Sequence, residues 1–138
     1  MRVSLPPVPE SIEQLRAQLA RALAGLDPKE AHEVMLAVGE AAANYVRHAE
    51  RAAAGCPLVV EVAFDAVRLT VRIRDFCRPD EAQSIAPRPL DQVRPGGLGT
   101  HFIRALMDCV EYEPGSAGFL DLVLLKTLRS APGAVCER

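Results

Sequence analysis

Leu58-Val59-Val60-Glu61-Val62-Ala63-Phe64-Asp65-Ala66-Val67-Arg68-Leu69-Thr70-Val71-Arg72-Ile73-Arg74-Asp75 is the stretch that decides the fold class. Val67, Leu69, Val71 and Ile73 alternate with Arg68, Thr70, Arg72 and Arg74, which marks a strand with one buried and one wetted face. The run Leu58 to Phe64, joined to it at Asp65-Ala66, completes an antiparallel hairpin. Asp75 ends the second strand, where its carboxylate is open to a ligand.

Upstream, Gly55-Cys56-Pro57 closes a long run free of proline, opened by Asp27 as N-cap and Pro28 at the first helical position. Val34, Met35, Val38, Ala42, Tyr45, Val46, Ala49 and Ala53 share one broad face of that helix, and Glu33, Glu40, Asn44, Arg47 and Arg51 gather opposite. Glu40, Asn44 and His48 recur every four residues, so a carboxylate, a carboxamide and an imidazole run along one side. Such a stripe is either a solvated face or the floor of a cleft roofed by another segment; His48 reads as a structural hydrogen-bonding residue. Further back, Ile12, Leu15, Leu19, Leu23 and Leu26 form a helical stripe ending near Gly25, with Ser11 and Gln14 spaced as a capping box. Residues 2 to 5 read as extended.

Downstream, four prolines between Phe76 and Gly97 forbid regular structure, and a connection of that length reads as a functional lid. Gly96-Gly97-Leu98-Gly99 then feeds a helix with Leu98, Phe102, Ile103, Leu106 and Met107 on its apolar side. A glycine-rich loop at a helix N-terminus offers unpaired N–H groups and positive dipole potential to a phosphate. Val110 to Glu113 and Phe119 to Leu125 form a last hairpin about Pro114-Gly115-Ser116-Ala117-Gly118. The expected architecture is α+β: two layers, with an antiparallel or mixed sheet covered on one face by helices. Residues 1 to 129 read as one domain, and 130 to 138 as a loose tail.

The chain has 138 residues, enough to close a core without disulfide staples. No general phosphate-backbone affinity follows from a net charge of −2, so no direct nucleic-acid binding is expected. The apolar runs fall short of the roughly 20 residues of a membrane span, and Met1 to Pro7 has no secretory h-region; a cytoplasmic location without membrane contact is the expectation. Cys56, Cys77, Cys109 and Cys136 form no Cys-x-x-Cys pair, and His32, His48 and His101 form no helical metal pair, so a bound metal would take oxygen ligands.

Three stretches, in this order, resemble the boxes of the GHKL (Bergerat-fold) ATPases and, within them, the anti-sigma-factor serine-protein kinases. Glu40-Ala41-Ala42-Ala43-Asn44 with Arg47-His48-Ala49 is similar to the N box, Ile73-Arg74-Asp75 to the G1 box, and Gly96 to Asp108 to the G2 box and its helix. The resemblance implies a mixed, mostly antiparallel sheet covered on one face by three helices. It implies ATP and Mg²⁺ as ligands, with Asn44 holding the metal, Glu40 as general base and Asp75 accepting from the adenine amino group. Gly97, Leu98, Gly99 and Thr100 would hold phosphate, and Arg94 would bring a lid cation to the γ-phosphate. The implied partners are a sigma factor, which the protein would sequester, and an anti-sigma-factor antagonist of STAS type, phosphorylated on serine; dimerisation is implied too.

Two positions depart from the pattern. Cys77 stands where the G1 box usually has glycine, and Gly118-Phe119-Leu120-Asp121 lacks the threonine that often assists adenine recognition. These departures favour an alternative, a partner-binding switch module with a degenerate nucleotide site and no phosphoryl transfer. A plain ATP hydrolase and a detached histidine-kinase catalytic domain complete the expectations.

Overall fold

The computed structural model describes residues 1–52, 56–79 and 97–129, and the backbone alone for 49–52 and 97–101. Most of the expected lid, including Arg94, and the tail from 130 to 138 lie outside the described residues. In chain order the elements are β1 (Arg2–Leu5), α1 (Glu10–Ala22), α2 (Pro28–Ala52), β2 (Leu58–Phe64), β3 (Arg68–Cys77), α3 (Gly97–Leu106), β4 (Cys109–Pro114) and β5 (Leu120–Thr127). The strands form one five-stranded sheet in the order β1-β2-β3-β5-β4, and every described pairing is antiparallel.

Strand alternation decides which face of the sheet is covered. Leu69, Val71 and Ile73 of β3 are fully buried, beside Val60 and Val62 of β2 and Leu122 and Leu124 of β5. Against them pack Leu15, Leu19 and Leu23 from the α1 region and Val34, Ala37, Val38, Ala41, Ala42 and Tyr45 from α2. Each large side chain buried this way contributes about 1.5–3 kcal/mol. Val67 departs from the alternation: it lies in the β2–β3 turn and is 61% exposed. The turn is held by Asp65, whose Oδ1 accepts from the N–H groups of Val67 and Arg68, both at 2.9 Å.

Local chemistry fixes the helix starts. Asp27 caps α2, its Oδ2 accepting from the N–H groups of Lys29 at 3.1 Å and Glu30 at 3.3 Å. Ser11 is no cap: α1 starts at Glu10 behind Pro9, and the Ser11 hydroxyl donates backwards to the Pro6 carbonyl at 2.7 Å. The proline run turns the chain ahead of Ser11, so the capping box expected from Ser11 and Gln14 is not formed. At the end of α3, the Lys126 ammonium donates to the Leu106 carbonyl at 2.6 Å and pairs with Glu33 at 2.9 Å. A cation there complements both the unpaired carbonyls and the dipole. Ile103 and Met107 are buried beneath α3, whereas Phe102, expected on its apolar side, is 43% exposed.

Candidate functional site

The polar stripe of α2 is not uniformly solvated. Asn44 is only 7% exposed, and Ala41 and Ala37, one and two turns earlier on that side of α2, are fully buried. Glu40 is half-buried one turn earlier, and Arg47 reaches back to both residues. Its Nη2 donates to Asn44 Oδ1 and lies 3.7 Å from Glu40 Oε2. Carboxylate, carboxamide oxygen and guanidinium thus share one helix side.

Asp75 sits across from this helix, and a pair of rings connects the two. Tyr45, next to Asn44, has its ring 6.3 Å from that of Phe76, next to Asp75. The Tyr45 hydroxyl donates to the carbonyls of Cys56 at 3.2 Å and Pro57 at 3.1 Å, anchoring the far part of α2 to the start of β2. Burial raises the Tyr45 pKa, and the charges at Cys56 and Asp75 add to the rise.

Asp75 does not end β3 as expected. The strand continues to Cys77 through an irregularity in which Ile73 pairs with Leu122 and Cys77 with Leu120. Four steps on β3 thus match two on β5, so the intervening residues bulge. Asp75 takes φ 48° there, a conformation aspartate tolerates better than most side chains. Its N–H donates to Asp121 Oδ1 at 2.8 Å. Its Oδ1 accepts from the Ser116 N–H at 2.9 Å and its Oδ2 from the Ser116 hydroxyl at 2.6 Å.

Asp121 is the hub beneath this bulge. It is 1% exposed, yet its charge is met by Arg72 Nη1 at 2.9 Å and Arg74 Nη1 at 3.4 Å. Arg72 Nη2 also reaches Glu113 at 2.6 Å; that hydrogen bond, then the one to Asp121, raises the Arg72 pKa. Gly115 is required by the same crowding: a Cβ there would lie 2.6 Å from both Asp75 Oδ1 and Asp121 Oδ1. Arg78 stacks over Phe119, 5.3 Å from the ring centroid, at the other side of the turn.

Cys77, standing where a glycine was expected, is 2% exposed and belongs to the hydrophobic core. Its side chain therefore leaves the surface beside Asp75. Gly97, Leu98, Gly99 and Thr100 form the first turn of α3, the four positions whose N–H groups have no partner within a helix. Asp121, Gly115 and Ser116 escaped the sequence reading as site residues. The signal for Asp121 was a single carboxylate followed by the apolar run Leu122 to Leu125, in a strand paired with the arginine-bearing β3.

Among the described residues no group of three or more His, Cys, Asp or Glu side chains could hold a metal ion. Asn44 Oδ1 already faces the positive charge of Arg47, and a carboxamide oxygen beside the Glu40 carboxylate is a donor set compatible with a hard cation. No described helix is long and apolar enough to cross a membrane.

The chain matches the histidine kinase-like ATPase domain family over residues 5–120. No curated protein matches it. Among solved structures it is similar to the RsbU and RsbW domains of Rv1364c from Mycobacterium tuberculosis, at 22% identity and TM-score 0.64 over 99% of this chain; it spans 34% of that one. It is also similar to the SiaB-SiaC complex from Pseudomonas aeruginosa, at 20% identity and TM-score 0.66, covering 93% of this chain and 89% of that one. Both likenesses concern the fold: a sheet with helices on one face.

Proposed function

The chain belongs to the histidine kinase-like ATPase domain family, and from that premise we propose that it is an ATP- and Mg²⁺-dependent serine-protein kinase of a partner-switching circuit. In this reading it sequesters a sigma factor and phosphorylates a STAS-type antagonist of that sequestration. The observation that carries the reading is the half-buried Glu40 one turn from the buried Asn44 on the same side of α2. A carboxylate that can take a proton beside an oxygen that can hold a metal is the pairing phosphoryl transfer needs.

Each residue then has a role. Glu40 accepts the proton of the attacking serine hydroxyl. Asn44 would hold Mg²⁺ through its side-chain oxygen, and the metal when bound would supply charge neutralisation at the phosphates. Asp75 accepts from the adenine amino group; each carboxylate oxygen has a second lone pair beyond the one Ser116 uses. Gly97, Leu98, Gly99 and Thr100 present N–H groups to phosphate oxygens. Arg94 is assigned to the γ-phosphate. Protein partners are supported by the solved relatives, one of which is SiaB in complex with SiaC.

The test is incubation with ATP, Mg²⁺ and an antagonist-type protein, reading phosphoserine by mass spectrometry. Glu40→Gln should lower the transfer rate about 100-fold or more while preserving ATP binding. An unchanged rate would remove Glu40 from the role of base. The non-catalytic switch module is favoured by a different observation: Arg47 and Ser116 already engage Asn44 and Asp75. Absence of Mg-ATP binding at millimolar nucleotide would decide for that module.

A further inference from the structure

We propose that Arg47 is a built-in counter-ion of the Glu40 and Asn44 pair, and that a divalent cation enters this site only by displacing its guanidinium. The inference rests on the reading above for the identity of the metal-bearing oxygen. Its own ground is geometric. Arg47 follows Asn44 by three residues and Glu40 by seven, spacings that stack all three side chains along one side of α2. The Nη2 group donates to Asn44 Oδ1, the atom a hard cation would take, and stands 3.7 Å from Glu40 Oε2.

Charge and exposure indicate how the exchange works. With Arg47 in place, the local charge of Glu40 and Arg47 sums to zero, and a metal gains little by approaching. With the guanidinium swung out, one negative charge and one carbonyl oxygen are presented together. The Arg47 side chain is 55% exposed, so its head can pass into water with little desolvation to reverse, whereas Asn44 is buried and stays. The Glu40–Arg47 pair is partly solvated, so the competition should follow divalent-ion concentration and ionic strength. Metal affinity at this site is therefore set by a residue that need not touch the metal.

The experiment uses Mn²⁺ alone on the whole chain and follows paramagnetic broadening of the amide signals of residues 40 to 48. Arg47→Ala should broaden these signals at about five-fold lower Mn²⁺ than the unaltered protein, a modest factor because the pair is half-solvated. Arg47→Lys, which keeps the charge on a flexible stem, should fall between them. The advantage of the alanine variant should shrink as salt is raised. Equal Mn²⁺ dependence of the alanine variant and the unaltered protein overturns the proposal, as does broadening centred elsewhere in both. Nucleotide binding is measured separately. If neither protein binds ATP but the Mn²⁺ shift is present, the kinase reading fails and the counter-ion role stands.

Discussion

The two ends of the candidate site are built on opposite principles. At the α2 end, Glu40, Asn44 and Arg47 lie within eight consecutive residues, and one helix period brings them together. At the β3 end, Asp75 is held by Ser116 and Asp121, 41 and 46 residues away in sequence. Its neighbour Arg72 reaches across 49 residues to Asp121 and 41 to Glu113. The helical end can lose a polar side chain and keep its backbone, because the α2 ladder does not depend on those side chains. The sheet end cannot, since its carboxylates satisfy the bulge that shapes it. In the proposed reading one end serves function with little structural duty, while the other carries both.

Asp121→Ala should expose that difference most strongly. It takes a partner from Arg72, which keeps Glu113, and from Arg74 and the Asp75 N–H, and should cost about 3 kcal/mol in urea denaturation, the arginines' partial exposure keeping it from the upper range for buried pairs. Asn44→Ala should cost about 1 kcal/mol, because among the described residues the hydrogen bond it removes is the one from the exposed Arg47, yet it should abolish metal-dependent nucleotide binding. A larger stability loss for Asn44→Ala than for Asp121→Ala would reverse the assignment of duties. Gly115→Ala comes next, at about 1–2 kcal/mol, because a methyl pushed against two carboxylates must move them. It should also erode the preference for adenine over guanine nucleotides in a competition assay; full retention of that preference would show that Asp75 can shift without consequence.

The same division accounts for what the sequence disclosed. The α2 stripe, the β2–β3 hairpin, the Asp27 cap and the final hairpin follow from periodicity and local hydrogen bonding, which need only neighbouring residues. The burial of Asn44 did not follow, since it depends on what the rest of the chain lays against α2, which the period within α2 does not report. The bulge at Asp75 was hidden for a related reason. Alternation places Arg74 and Asp75 on opposite faces of a regular strand, and only the register against β5 shows the two extra residues. Cys77 could be read as a threat to adenine, but the same irregularity sends its thiol into the core. Most of the lid and the tail fall on residues outside those described, so the role of Arg94 rests on the family resemblance.

Ser116→Ala is the subtler probe of the sheet end. The Ser116 N–H still reaches Asp75, so only the hydroxyl bond at 2.6 Å is lost. On an exposed turn this should cost about 0.5–1 kcal/mol. If Ser116 serves to orient the carboxylate, adenine nucleotide affinity should fall with it, whereas a rise would identify Ser116 as a competitor of the base.

The smallest effect links the two ends through tyrosine ionisation. Tyr112 of β4 has its pKa pushed up to about 12, first by burial and then by the charge at Cys77. Tyr45 of α2 is raised in the same direction, with Asp75 among the causes. A phenol whose folded pKa lies above its ordinary value of about 10 favours the folded state while protonated. That contribution is whole below about pH 10 and is lost as pH climbs towards the folded value. Unfolding free energy should therefore decline from about pH 10 upward, and Tyr112→Phe should flatten the decline more than Tyr45→Phe. Tyrosinate absorbance gives the finer test. Asp75→Asn removes a charge that Tyr45 feels and Tyr112 does not, so it should bring the Tyr45 titration down while leaving that of Tyr112 in place. Equal movement of both titrations would mean that the substitution had loosened the core as a whole, and that the bulge at Asp75 supports β4 as well as facing α2.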